Sequence, residues 1–128
     1  MKILFSLAFI ISLLTISCNK DNDNTGNGNS SRVIKYEITG NFTGSLIASY
    51  TTASGSTANE QVTTLPWTKE ITYASGVTAA IIAASGNGGG VGQQVTVVVK
   101  KAGVQVSSTT AIADNAGGFT KSSPVVIF

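Results

Sequence analysis

From Arg32 onward the apolar residues fall at alternate positions. Ile34, Tyr36 and Ile38 are separated by Lys35, Glu37 and Thr39, a period of two that predicts a strand with one buried and one wet face. Gly40-Asn41 begins a turn, and the alternation resumes from Ser45 to Thr52 with Leu46, Ala48 and Tyr50 on one side. A third strand is expected over about Asn59 to Leu65. Pro66 ends it, because proline donates nothing to a ladder and sits only at edges or bulges. Trp67, Lys69, Ile71 and Tyr73 share one face of a fourth strand. Val77 to Ser85 is nearly continuously apolar, which predicts a central strand. Val95, Val97 and Val99 lie together within Gln93 to Lys100, and Lys101-Ala102-Gly103 turns the chain back into Val104 to Ala113 as a hairpin. A last strand covers Ser123 to Phe128.

No helical period competes with this pattern, and Val, Ile, Thr and Tyr dominate between Gly, Ser and Asn punctuation. The expected fold is therefore all-β: a two-sheet antiparallel β-sandwich, Ig-like, of about seven or eight strands over residues 32–128. An incomplete barrel is the alternative. A domain of about 100 residues buries somewhat over 60% of its unfolded surface, enough for a core without disulfide or metal.

The N-terminus follows a different pattern. Met1 and Lys2 precede an apolar run of 14 residues, Ile3 to Ile16, broken only by Ser6, Ser12 and Thr15. A helix needs about 18 to 20 apolar residues to cross roughly 30 Å of hydrocarbon, so the run fits the apolar part of a secretory signal instead. Leu14-Thr15-Ile16-Ser17-Cys18 then resembles the lipobox of bacterial lipoproteins. The resemblance implies that residues 1–17 are a cleaved signal peptide, that the Cys18 thiol receives a diacylglyceryl group, and that the new amino group is acylated. Cys18 is the only cysteine of the chain, and a free exposed thiol outside the cytosol is a liability. Two acyl chains already suffice for stable membrane anchoring.

Asn19 to Ser31 contains no apolar residue. With Cys18 it is expected to form a lipidated, flexible polar tether over 18–31, whose 13 residues after the cysteine have a root-mean-square span of about 20 Å. Lys20, Asp21 and Asp23 resemble the lysine and acidic cluster that follows the lipidated cysteine in surface-exposed lipoproteins of Bacteroidetes-type bacteria. That implies an outer-membrane anchor, with the cell surface the expected side and the periplasmic face the alternative. The same tract partly matches a calcium loop, but Thr25 and Arg32 stand where a ligand amide or acid and the bidentate glutamate belong, so no metal is expected.

Charge narrows the function classes. Eight basic residues face six acidic ones, and loss of Lys2 with the signal brings the chain close to neutral. This is no footprint for nucleic acid, which calls for a basic stripe. Histidine is absent, which removes the commonest general base and metal ligand together. The domain's acids are Glu37, Glu60, Glu70 and Asp114, a thin set for paired-carboxylate hydrolysis. Glu37 and Glu70 read either as neighbours on adjacent strands or as solvated partners of Lys35 and Lys69. Gly86-Asn87-Gly88-Gly89-Gly90-Val91-Gly92 lacks the lysine and following helix of a phosphate loop, and Val91 breaks the dinucleotide pattern. It reads as a mobile hairpin loop. Trp67, Tyr50, Tyr73 and Phe42 form either a sugar-stacking platform or, for Trp67, the anchor where two sheets meet, with Phe42 the exposed aromatic. No catalytic residue and no cofactor is expected, and the chain reads as a non-enzyme.

Four stretches carry a family resemblance: "KYEITG" at 35–40, "ASYTTASGST" at 48–57, "TTLPWTKEIT" at 63–72 and "VTVVVKKAGVQVSSTT" at 95–110. Together they resemble the soluble domain of the MmpS (mycobacterial membrane protein small) family, most specifically at Leu65-Pro66-Trp67-Thr68-Lys69. The resemblance implies a β-sandwich held outside the cytoplasm that assists resistance-nodulation-division transporters exporting lipids and siderophores. The chain differs from that family in its lipid anchor, its Ala102-Gly103 turn and its lack of a cysteine pair. The expected function is thus a non-catalytic, lipid-anchored envelope protein that binds a protein or glycan, with a transporter accessory as the alternative.

Overall fold

The computed structural model describes residues 31–128. The stretches read as signal peptide, lipobox with Cys18, polar tether before Ser31 and export signal at Lys20, Asp21 and Asp23 lie outside the described residues. Ten strands follow in chain order: β1 (Val33–Gly40), β2 (Ser45–Thr51), β3 (Thr57–Val62), β4 (Trp67–Thr72), β5 (Ala79–Ala80), β6 (Ile82–Asn87), β7 (Gln94–Lys101), β8 (Val104–Ile112), β9 (Phe119–Ser122) and β10 (Val126–Ile127). Two four-stranded sheets, ordered β4-β1-β7-β8 and β3-β2-β6-β9, face each other, and β10 pairs with β5 as a small third piece. Every pairing is antiparallel. The chain is the all-β sandwich that its alternation predicts.

The core is built by the alternation itself. Ile34, Tyr36 and Ile38 on β1, and Val95, Val97 and Val99 on β7, are completely or almost completely buried. Leu46, Ala48 and Tyr50 on β2 and Ile82 and Ala84 on β6 meet them from the second sheet. Burying one such valine or isoleucine contributes about 1.5 to 3 kcal/mol, so the two central pairs of strands dominate the packing.

Two expected elements differ. The run from Val77 to Ser85 is not one strand: it breaks at Ile81, and only β6 is central, because Thr51 draws the Ile81 backbone away from the β5 line (Thr51 N to Ile81 O 3.1 Å, Ile81 N to Thr51 Oγ1 3.2 Å). A run of small apolar residues does not show where the chain must change sheets. The strand expected at 123–128 shrinks to two residues, and β9 at Phe119–Ser122, which has only one large apolar residue, was hidden in its polar composition.

The registers set two distinct ends. Val33 opposite Thr72, Ile34 opposite Lys101 and Lys101 opposite Val104 place the start of β1 beside the β7–β8 turn. There Ala102 (φ 50°) and Gly103 (φ 80°) supply the two left-handed residues of a tight hairpin. Arg32 is tied down at this end, its guanidinium donating to the carbonyls of Tyr73 (3.2 Å), Ala74 (2.6 Å) and Val77. At the opposite end Gly40 pairs with Val95, Leu46 with Val62, and Gly86 with Phe119. All four connections that cross from one four-stranded sheet directly to the other, β1–β2, β3–β4, β6–β7 and β8–β9, gather there.

Candidate functional site: the loop end and the aromatic seam

Three of the four crossing loops, β1–β2, β6–β7 and β8–β9, carry side-chain amides or a carboxylate that bind irregular backbone. The Gln93 Oε1 accepts from Thr43 N (3.0 Å), Thr43 Oγ1 (3.1 Å) and Gly90 N (2.8 Å). Asn41 exchanges hydrogen bonds with the Gln94 backbone, giving its own N–H to Gln94 O at 3.0 Å and accepting Gln94 N on Oδ1 at 2.8 Å. Asp114 Oδ1 accepts from Ala116 N and Gly118 N, a local turn that asparagine and aspartate favour.

The glycine tract is the floor of this arrangement. It joins strands of different sheets, so it is a sheet-crossing connection and not the hairpin loop that its composition predicts. It is also pinned, with Gly89 N on Gly117 O (2.9 Å) and Gly92 N on Ala113 O (3.0 Å). A Cβ on Gly86 would lie 2.6 Å from both the Phe42 and Phe119 rings. Phe42, expected to be exposed, is 8% exposed. It lies edge-on to Phe119 at 5.0 Å over bare glycine backbone, because a tract without side chains leaves a slot that only a large ring fills.

Beside Phe42 an open cleft of about 440 Å³ runs between the β1–β2 and β3–β4 loops, lined by Asn41, Thr43, Thr63, Thr64 and Leu65 among others. Its volume falls within the range of small-ligand sites. The wall is more polar than apolar, with hydroxyl and amide groups beside Phe42, Leu46, Val62 and Leu65, which suits a polar ligand such as a sugar hydroxyl array or a peptide backbone.

The aromatic residues singled out in the sequence lie mainly along the open side where edge strands β3 and β4 approach. Tyr50 sits 6.2 Å from Trp67 on one side and 6.2 Å from Tyr36 on the other. Glu60 occupies an inward position of β3, between Ala58 and Val62, and its carboxylate accepts from Trp67 Nε1 (3.1 Å), Tyr50 Oη (2.8 Å) and Lys69 Nζ (2.8 Å). Inward-pointing charges on edge strands also discourage edge-to-edge aggregation. Trp67 is the inter-sheet anchor rather than a free stacking platform, since both its ring and its N–H are engaged within the domain. Tyr73 is buried deeper, with its ring 5.0 Å from Phe128.

The hydrogen bonds from Lys69, Tyr50 and Trp67 hold the Glu60 carboxyl below the usual glutamate range. A carboxyl whose folded pKa is depressed adds stability that is present above its unfolded value, about 4.3, and is lost as pH falls through the folded one. Glu60 and Lys69 are each more than one-third exposed, so screening limits the contribution to about 1 kcal/mol. Glu60→Gln should flatten the stability profile between about pH 5 and 3, read by denaturant melts across that window. A wild-type slope left intact in the variant would remove Glu60 from this role.

Glu37 and Glu70 do not form a pair. Glu37 bridges Lys35 (3.1 Å) and Lys100 (3.0 Å), whose hydrogen bonds lower its pKa, while Glu70 stands opposite Lys35 in the β1–β4 register. Lys69 turns inward to Glu60, a partner the sequence reading missed. The alternation of β3 held the sign: a glutamate at an inward position needs a cation. Gln93 and Asn41 left no such sign, because Thr43 and the Gln94 backbone come within their reach only once the strands pair. Among the described residues no three of His, Cys, Asp and Glu cluster as a metal site. Scanned against protein-family models the chain matches none, and no curated protein matches it.

Proposed function

We propose that this chain is a non-catalytic, lipid-anchored protein of the cell envelope, held to the outer membrane through Cys18, whose sandwich presents its loop end to a protein or glycan. The carrying observation is the polarity of the fold. The chain enters the domain at Arg32, and the four crossing loops with their polar cleft lie at the opposite end. An anchor at one end and pre-ordered polar loops at the other suit a module that reaches for a partner away from its membrane. The cell surface is the side favoured by Lys20, Asp21 and Asp23.

A second reading, an accessory of a resistance-nodulation-division transporter, draws on the stretch Leu65 to Lys69. The most specific part of the MmpS resemblance supplies two of the seam's side chains, Trp67 and Lys69. Crosslinking in intact cells followed by purification separates the two. Recovery of glycans or foreign proteins supports the first reading, and recovery of a transporter subunit supports the second. In the same cells Cys18→Ala should leave an uncleaved or mislocalised precursor, and wild type should carry fatty acyl mass. A mature protein beginning after Cys18 would refute the anchor.

A further inference from the structure

Four of the eight exposed large apolar residues among the described residues gather at the end where the chain enters. Val104 (67% exposed) follows the β7–β8 turn, Val125 (53%) precedes β10, and Ile127 (65%) lies in it. Val106 is the extra residue of a bulge in β8, where Ser107 pairs with Val99 and Gln105 with Lys100; it is exposed as well. Val106, Val125 and Ile127 border a shallow cleft of about 260 Å³ together with Lys101.

Cations frame this apolar surface. Arg32, Lys35, Lys100 and Lys101 are four of the six basic side chains in the described residues. Lys35 and Lys100 are held by Glu37, and Glu70 lies opposite Lys35. Arg32 and Lys101 face no carboxylate among the described residues. Arg32 donates to backbone carbonyls, Lys101 donates to Ile127 O at 2.8 Å, and both lie over the Phe128 ring, at 4.6 and 5.3 Å. Apolar side chains ringed by basic ones, with an aromatic between, have the composition of a surface that rests in a headgroup layer.

We infer that this end of the domain docks on the anionic phospholipid surface that holds the acyl chains. The inference rests on the lipid-anchor reading. Only 13 residues separate Cys18 from Arg32, which limits their reach to about 45 Å at full extension, and Arg32 opens the domain at this same end. The valines and isoleucine enter the boundary between headgroups and acyl chains, and Arg32 and Lys101 meet lipid phosphates. The loop end then points away from the membrane.

The test uses the mature acylated protein reconstituted in phosphatidylcholine vesicles with or without phosphatidylglycerol. Lipidation blocks Cys18, so a fluorophore can be placed on one introduced thiol, Val125→Cys at the entry end or Val91→Cys at the loop end. Nitroxide-labelled lipids should quench the first several-fold more than the second, and only with phosphatidylglycerol present. Lys101→Glu, checked for an unchanged melting temperature, should lower the docked-to-free ratio by about 30-fold, each unit of charge near an anionic surface counting for about a factor of five. Acylated, vesicle-bound protein with both probes equally unquenched would overturn docking while leaving the anchor standing. Protein without acyl mass that fails to float with vesicles would overturn both. Crosslinking of the Val125 probe to a second copy would assign the face to a dimer and overturn docking.

Discussion

Gly117→Ala is expected to lower the melting temperature by about 15 °C. Gly117 has φ of 73°, and a Cβ there would fall well inside van der Waals contact with the Gly89 carbonyl oxygen. The same two residues are hydrogen-bonded through Gly89 N and Gly117 O, so the neighbour cannot retreat without breaking the contact that joins the loops. The left-handed conformation costs an L-residue about 1 to 2 kcal/mol, and forcing backbone apart adds about 1 to 3 kcal/mol. A loss near 3 kcal/mol shifts a domain of this size by about 5 °C per kcal/mol. Two controls separate the causes. Gly103 has φ of 80° with open space around a would-be Cβ, and Gly76 has open space and no positive φ. Gly103→Ala should lose only the conformational part, and Gly76→Ala should change stability by less than about 0.5 kcal/mol. Equal losses at Gly117 and Gly103 would mean that the two loops do not approach.

The second large effect lies in the core. Tyr36 is fully buried, its hydroxyl 2.7 Å from that of Tyr73, and the Tyr73 hydroxyl donates to Thr51 O at 2.7 Å. Tyr73 has one proton and gives it to the carbonyl, so Tyr36 must donate to Tyr73. The chain of donors makes the two tyrosines unequal. Tyr36→Phe removes the first donor and leaves Tyr73 on Thr51, at a cost of about 1 kcal/mol. Tyr73→Phe strands a buried hydroxyl and the carbonyl together, at about 2 to 3 kcal/mol. In the Tyr73→Phe background, Tyr36→Phe should cost nothing or recover part of the loss, because it removes the stranded group. Additive costs in that double-mutant cycle would contradict the relay.

The same pair should govern alkaline stability. Burial pushes both hydroxyls above the usual tyrosine range, and for Tyr36 its donation to Tyr73 pushes further the same way. A group whose folded pKa is raised contributes stability that is complete below its unfolded value, about 10, and is lost as pH rises beyond it. Denaturant melts should therefore weaken above about pH 10, by up to about 1.4 kcal/mol per pH unit for each tyrosine kept protonated. Tyr36→Phe should remove much of that slope.

The fold has two unlike ends. Because every direct connection between the two large sheets falls at the end away from Arg32, that end receives the glycine tract 86–92 and the Asn41, Gln93 and Asp114 side chains that pin irregular backbone. The entry end keeps a hairpin, the β2–β3 turn and the β5–β10 pair, with exposed valines between them. A sandwich whose crossings were shared between its ends would have no such polarity. On the reading proposed above, this division assigns one end of the small domain to lipid and the other to a partner.

The sequence by itself determined the all-β class, the inward faces of β1, β2, β4 and β7 and the turn at Ala102-Gly103. Alternation and local turn chemistry act over a few residues, and so they are written in the order of the chain. Only the tertiary structure decided that the glycine tract crosses between sheets, that Phe42 is buried on it, that Glu60 rather than Glu37 or Glu70 carries the central carboxylate cluster, and that Arg32 and the loops stand at opposite ends. Each of these depends on which distant strands pair and in which register. That choice belongs to the packing of whole sheets, which no single segment encodes.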